Sequence, residues 1–140
     1  GAHLLAEAYQ LYRSRTDNPW PLTICGLGDL YDTVKDQDGI DMRGFVQPTD
    51  LPAIYGESGC LVSPSTFEAW GYVLHEATAS GLPVICTAAA GAGVHLVREY
   101  FNGFVVQPGD VEGLANALHR FAALSDERRC LMGENSNAQS

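Results

Sequence analysis

Short apolar segments alternate along this chain with longer stretches of helical spacing, and this alternation leaves few folds open to it. The clearest apolar segments are Leu22–Cys25, Cys60–Val62 and Pro83–Thr87, and each is followed by glycine, serine or alanine. Short strands separated by helices form right-handed βαβ units whose strands run parallel. The pattern therefore predicts an α/β domain with a doubly wound, Rossmann-like parallel sheet between two layers of helices.

Weaker signals complete the predicted order of elements. Two more strands are predicted over Ile40–Val46 and Phe104–Val106, and the Ala/Gly-rich stretch Ala88–Gly93 is predicted as a loop. Helices are predicted over residues 2–15, 29–36, 50–56, 72–80, 94–99 and 111–121.

The end of the chain carries two capping signals. Asp110 precedes an amphipathic stretch and is predicted to cap its helix, and Ser125 is predicted to cap a last helical piece. The residues after Gly133 are polar, and we expect them to be frayed. The predicted domain therefore spans 1–133, and 134–140 form a polar tail.

The chain opens on a helical pattern, without the strand that is central in a doubly wound sheet. We therefore expect an excised domain that lacks its first strand. Three alternatives stay open for the sheet. It leaves a gap, it pairs the neighbouring strands directly, or it recruits a strand from another copy and forms a homodimer.

The composition restricts the classes of partner. A formal net charge of -9 opposes binding to nucleic acid or to anionic membrane surfaces, whereas helix N-termini can still hold a small phosphorylated ligand. No apolar run reaches the roughly 20 residues that cross a bilayer, and no signal peptide is expected. The four cysteines form no close pairs, which favours buried, reduced thiols in a cytoplasmic enzyme over a zinc site, with disulfides left open.

Two glutamates, Glu68 and Glu76, lie eight positions apart around a predicted helix start. Pro64 and Gly71 indicate that Glu68 lies in the preceding loop and Glu76 in the helix, where its side chain leans toward the N-terminus. Carboxylates accept hydrogen bonds from sugar hydroxyls, and a helix start suits a diphosphate. The pair alone is more typical of two solvated acids at a helix N-terminus than of a ligand site.

The whole segment PSTFEAWGYVLHEATASGLPV closely resembles glycosyltransferase family 4, a large family with the GT-B fold. The shared pattern is Pro-Ser, a short gap, Glu, an aromatic-Gly pair, a second Glu eight positions after the first, and Gly-x-Pro-Val. The resemblance extends over nearly the whole chain, through GAHLLAEAY, LTICGLGDL, DMRGFVQPTDLPAIY and NGFVVQPGDVEGLANAL.

The resemblance implies roles for individual residues. Glu68 would be the catalytic residue that bonds the transferred sugar, and Glu76 would bind the ribose hydroxyls. Main-chain N–H groups at the helix start would face the diphosphate, the last two residues of the strand predicted over Ile40–Val46 would line the base pocket, and a glycine loop would close on the sugar. In that order these residues are Gly71, Tyr72 and Val73; Phe45 and Val46; and Gly91 and Gly93.

By the same resemblance the activity would be a retaining transfer of a hexose from a nucleotide sugar to a polysaccharide, lipid or lipopolysaccharide acceptor. No metal or cofactor is expected. The family's acceptor-binding N-terminal domain is missing, as are an upstream arginine and lysine that bind phosphate. We therefore expect the donor half of a cytoplasmic glycosyltransferase, inactive alone, whose only membrane association would come through the missing domain.

Two other functions remain as alternatives. The first is a binding or regulatory module of the same fold without transferase activity. The second is an unrelated nucleotide-binding protein, such as a dehydrogenase or an epimerase. Gly26 and Gly28 resemble part of a dinucleotide fingerprint, but Tyr31 stands in place of its third glycine, which argues against the second alternative.

Four ring-bearing residues near the motif have two interpretations each. His75 and His95 are candidates for acid–base groups, although packed or exposed histidines are commoner on helices. Phe67 and Trp70 would either stack on a ligand or anchor the loop to the core.

Overall fold

Five strands and seven helices alternate along the chain in the computed structural model, which describes residues 1–140. The strands are β1 (Leu22–Cys25), β2 (Ile40–Gly44), β3 (Leu61–Ser63), β4 (Val84–Thr87) and β5 (Gly103–Val106). The helices are α1 (Ala2–Ser14), α2 (Tyr31–Val34), α3 (Leu51–Glu57), α4 (Tyr72–Ala79), α5 (Gly91–Leu96), α6 (Val111–Ala122) and α7 (Asp126–Gln139). All paired strands run parallel, which confirms the predicted α/β class.

Helices cover both faces of the strands. The four residues of β4 are all buried and alternate between two apolar clusters, because successive side chains of a strand point to opposite faces. Val84 and Cys86 belong to the cluster that contains Leu74 of α4, and Ile85 belongs to the one that contains Phe121 of α6. The predicted three-layer arrangement is therefore present around β4.

The strands form two separate sheets. β1 pairs only with β2, and β3, β4 and β5 form the second sheet in that order. A cavity of about 790 Å³ lies between the sheets and is lined by every residue of β1 and β3. Helices α1 and α6 contribute apolar residues to its wall, as does α3. Within one chain the neighbouring strands thus leave a gap, at the place where the doubly wound order puts its first strand.

Helix α1 connects the two halves. It packs along α6, which lies beside the second sheet. The Tyr9 hydroxyl lies 2.7 Å from the carbonyl oxygen of Trp20 and 3.1 Å from that of Gly39, in the segments that lead into β1 and β2. The buried α1 thus fixes the two-stranded sheet to the rest of the molecule.

Both predicted caps near the end of the chain are confirmed. A side-chain oxygen of Asp110 accepts a hydrogen bond from the Gly113 N–H at 2.8 Å, and that of Ser125 accepts one from the Arg128 N–H at 3.2 Å. The expectation that the tail frays after Gly133 is wrong, because α7 continues through it and packs against α4. Ser136 is fully buried there.

Two predicted boundaries are wrong, one for a local reason and one because of a contact that is distant in sequence. Strand β2 ends at Gly44 because this residue has a φ of 64°, which turns the chain away from its neighbour before Phe45. Helix α5 begins at Gly91 within the predicted loop. The N–H groups of Gly91 and Ala92 donate to the carbonyl groups of Glu68 and Trp70, so the start of this helix is satisfied by a distant loop.

The cysteines differ in exposure, which corrects the expectation that they are all buried. Cys86 is buried, Cys60 is partly buried, and Cys25 and Cys130 are exposed; all four are free thiols. Burial raises the pKa of Cys60 to about 12 and that of Cys86 to about 11, so both stay protonated at neutral pH. None of the helices is at once long and apolar enough to traverse a bilayer.

Candidate functional site

The carboxyl ends of the strands open into one end of the cavity between the sheets. Residues that follow β1, β2 and β3 line this end, together with the first turns of α4. Ligands of parallel α/β domains bind outside the carboxyl ends of the strands, so this is the expected position of a site. Four of the predicted site residues share the cavity, namely Phe45, Val46, Val73 and Glu76.

Phe45 and Val46 form its wall beyond β2. The side chain of Phe45 is 65% exposed, although it is aromatic, and Val46 is half-buried. Gly44 precedes them with a positive φ, which any other L-residue would adopt only with strain. The chain therefore holds an apolar surface open at the mouth of the cavity.

Glu76 lies in the second turn of α4 and is held by a residue that the sequence analysis did not assign. The Tyr55 hydroxyl of α3 donates to Oε2 of Glu76 at 3.0 Å. Burial, together with the hydrogen bond to the Glu76 carboxylate, raises the pKa of Tyr55 to about 12. Tyr55 lies in the quoted DLPAIY stretch; a tyrosine on the apolar side of a short helix needs a partner for its hydroxyl, which is the signal that could have identified it.

The start of α4 has no side-chain cap. Its N-cap is Gly71, with a φ of 89°, and the first hydrogen bond of the helix runs from the Leu74 N–H to the Gly71 carbonyl oxygen at 3.0 Å. The N–H groups of Gly71, Tyr72 and Val73 have no acceptor in the protein. Three adjacent donors at a helix N-terminus carry partial positive charge and are typical of an anion site.

Glu68 lies in the loop before α4 and Glu76 in the helix, as predicted. The Glu68 side chain is half-buried, and its carboxylate takes part in no hydrogen bond or ion pair within the chain. Its Cγ lies beside Gly71, 3.3 Å from the position that a Cβ there would occupy. The Glu68 carboxyl group is therefore free next to the start of α4, but it does not line the cavity that contains Glu76.

The two glycines expected to approach a sugar are packed against protein. A Cβ at Gly91 would lie 2.5 Å from the carbonyl oxygen of Ala69, and one at Gly93 would lie 3.0 Å from Sγ of Cys86. These contacts give a structural reason for glycine at both positions. Neither residue lines the cavity, so a contact with ligand remains a prediction.

Trp70 forms a small aromatic group with the two histidines singled out in the sequence. Its ring centroid lies 5.6 Å from that of His75, with the planes 24° apart, and 6.1 Å from that of His95. Trp70 thus connects the loop to α4 and α5 and is still 40% exposed, whereas Phe67 is 87% exposed. Anchoring of the loop to the helices explains an aromatic residue at Trp70, but it does not explain the exposed aromatic side chain of Phe67.

The charges around the cavity are acidic. Glu57 and Glu76 are the charged residues that line it, and no lysine or arginine does so. Within the cavity itself, a phosphate would therefore find no cationic side chain.

The fold is similar to that of the C-terminal domain of GT-B glycosyltransferases. The crystal structure of such a domain, from a group 1 glycosyltransferase (LpcC) of Francisella tularensis, matches 99% of this chain and 76% of its own, with a TM-score of 0.82 and 21% identity. The family model of glycosyl transferases group 1 matches residues 1–139, and the chain belongs to this family.

Similar proteins include a named mannosyltransferase and a protein crystallised with UDP. The O-antigen chain mannosyltransferase B of Escherichia coli is 29% identical over 131 residues, which cover 88% of this chain and 33% of the relative. The Anabaena protein HepE, crystallised with UDP and glucose, is 26% identical with a TM-score of 0.79, over 99% of this chain and 39% of its own. The chain spans a third or less of the curated relatives it matches first.

Proposed function

We propose that this chain is the donor-binding domain of a retaining glycosyltransferase of family 4, which transfers a hexose from a nucleotide sugar to an acceptor. One observation carries the proposal. The uncapped start of α4, with three free N–H groups, lies between two glutamates at the carboxyl ends of the strands. The complexes of HepE with UDP and with UDP-glucose support the same class of ligand.

The proposed ligand extends across both sheets. The base lies against Phe45 and Val46 beyond β2, and the ribose hydroxyls bind the Glu76 carboxylate in the same cavity. The diphosphate binds the N–H groups of Gly71, Tyr72 and Val73, which have no other acceptor. This assignment gives the Glu76 carboxylate and the three N–H groups partners of suitable chemistry.

In the transfer step, negative charge develops on the diphosphate as it leaves. Preorganised N–H groups at a helix start stabilise such charge, which lowers the barrier. Glu68, whose carboxylate is free beside these groups, accepts hydrogen bonds from the transferred sugar and orients it, with Gly91 and Gly93 on the sugar side. We propose that this step proceeds without a metal ion.

The rest of the active site comes from another domain. We propose an acceptor-binding domain in the same polypeptide, since the chain corresponds to a third of the length of the mannosyltransferase relative. Its acceptor would be a polysaccharide, a lipid or a lipopolysaccharide, and the protein would act in the cytoplasm. On this proposal the 140 residues bind donor but do not complete transfer.

Calorimetric titration of the chain with UDP-, GDP- and ADP-sugars tests the proposal. We expect one nucleotide series to bind, and Glu76→Ala to weaken it by about 1.5–3 kcal/mol, the contribution of a hydrogen bond to a charged group. Glu57→Ala is the matched control, since it removes one acidic group from the end of α3 that lines the same cavity. The proposal fails if a folded chain binds none of the series, or if the two variants weaken binding equally.

A further inference from the structure

One side-chain contact within the cavity connects the proposed ligand site to the hydrophobic core. The hydrogen bond from the Tyr55 hydroxyl, 3.0 Å from Oε2, is the only one in which the Glu76 carboxylate takes part. The two residues differ sharply in exposure: Tyr55 is 9% exposed, in the core cluster with Leu74 and Leu82, whereas Glu76 is exposed. A residue anchored in the core therefore holds a carboxylate that is otherwise free to move.

This contact matters because a glutamate on a helix surface samples many rotamers. A ligand that binds such a carboxylate must order it, and the lost side-chain entropy reduces the affinity. A hydroxyl fixed by packing removes part of that cost before the ligand arrives. Among the residues that line the cavity, Tyr55 alone bonds to this carboxylate.

We propose that Tyr55 is a positioning residue that orients the Glu76 carboxylate to receive both hydroxyls of a ribose. This inference rests on the proposed function and adds a ligand preference to it. An ionised carboxylate has about four lone-pair sites, and Tyr55 occupies one of those on Oε2. The sites that remain on Oε1 and Oε2 then lie in a fixed plane, which matches two donors on adjacent carbons of one ring.

The donor role is stable over the whole physiological pH range. The pKa of Tyr55 is raised to about 12, because burial and the neighbouring carboxylate both disfavour its ionised form. The hydroxyl therefore stays protonated and donates continuously to Glu76.

Tyr55→Phe isolates this role, because it removes the hydroxyl and keeps the ring that packs in the core. Tyr12→Phe is the matched control. Like Tyr55, Tyr12 is buried and lines the cavity. Its hydroxyl accepts a hydrogen bond from the main-chain N–H of Trp20 at 3.0 Å and does not touch Glu76. Thermal unfolding of both variants establishes that they are folded.

The experiment compares the affinity of each variant for a nucleoside diphosphate and for its 2′-deoxy and 3′-deoxy analogues. The nucleotide is whichever of UDP, GDP and ADP binds the unmodified chain. We expect Tyr55→Phe to weaken the ribonucleotide roughly tenfold. We expect it to weaken the deoxy analogues far less, since each presents only one of the two hydroxyls. In Glu76→Ala, adding Tyr55→Phe should produce no further loss, because the two side chains act as one unit.

The outcomes separate the two hypotheses. If the unmodified chain binds a nucleotide and Glu76→Ala weakens it, but Tyr55→Phe leaves the preference for ribose over deoxyribose unchanged, the role of Tyr55 is overturned and the proposed function stands. An equal loss for all three ligands would mean that Tyr55 only supports the fold. If no nucleotide binds, or Glu76→Ala has no effect, the proposed function fails and this inference fails with it.

Discussion

At the scale of single residues, polar side chains that bond to the main chain fix the conformation of irregular segments. Asn102 is fully buried in one of them. Its side-chain amide donates to the Leu96 carbonyl oxygen at 2.7 Å, and its Oδ1 accepts from the Arg98 N–H at 2.7 Å. Asn102 therefore closes the turn between α5 and β5 with groups that no water can reach. A buried amide with all its partners satisfied stabilises one conformation of such a turn.

We predict that Asn102→Ala lowers the free energy of unfolding by about 2–4 kcal/mol, since it leaves the buried Leu96 carbonyl and the partly buried Arg98 N–H without partners. Urea denaturation measures the change. Asn135→Ala is the control, because the side chain of Asn135 also bonds to a main-chain carbonyl, that of Phe101, but at an exposed position. Equal effects in the two variants would mean that burial of the Asn102 amide is unimportant.

The candidate site was predictable from sequence only in part. The features that depend on neighbouring residues were predicted, whereas those that depend on residues distant in sequence were missed. The placement of Glu68 in a loop and Glu76 in a helix follows from Pro64 and Gly71, which act on their own neighbourhood. The contact between Tyr55 and Glu76 joins residues 21 positions apart, on different helices. No local pattern encodes such a contact, because it depends on how α3 and α4 pack.

At the scale of helices and strands, capping and periodicity predicted the bounds of an element where its terminal N–H groups find acceptors in neighbouring residues. Helix α6 begins as predicted, because Asp110 supplies the acceptor for its first turn. Helix α5 begins earlier than predicted, because its first N–H groups are satisfied by the Glu68 and Trp70 carbonyls, far away in sequence. The start of α5 was therefore misplaced because it depends on tertiary contacts, whereas the end of β2 was misplaced because of the local positive φ of Gly44.

We predict that Asp110→Ala lowers the free energy of unfolding by about 1 kcal/mol, the usual contribution of a side-chain N-cap. Asp110→Asn keeps the acceptor and should restore most of the loss. Asp50→Ala provides a comparison, since Asp50 occupies the N-cap position of α3 without a side-chain hydrogen bond to the helix. Chemical denaturation measures the free energy of unfolding of the three variants. A loss in Asp50→Ala as large as in Asp110→Ala would contradict the prediction.

At the scale of the whole molecule, the two sheets differ in how well they are supported. All residues of β4 are buried, whereas those of β1 are half-buried or exposed because the cavity lies along its free edge. The apolar sequence of β1 predicts a strand buried on both sides, which a neighbour in the gap would complete. A two-stranded parallel ladder has little independent stability.

We predict that amide hydrogen exchange is faster in β1 and β2 than in β4, because local opening requires less free energy where fewer contacts are lost. Hydrogen exchange followed by mass spectrometry measures this. A nucleotide that binds as proposed should slow exchange in the segment with Phe45 and Val46 as well as at the start of α4, and Glu76→Ala should reduce both effects. Exchange in β1 as slow as in β4 would contradict the prediction.

The gap between the sheets also has a mechanical consequence for recognition. The residues proposed for the base follow β2, in one sheet, while those proposed for the diphosphate and ribose belong to α4, which follows the other. A nucleotide bound across this edge would work as a crosslink between two bodies that share no strand pairing. Part of the binding free energy would be used to hold the two sheets in fixed relative positions. A strand placed in the gap would fix these positions before the ligand binds, and it would therefore tighten binding without touching the ligand.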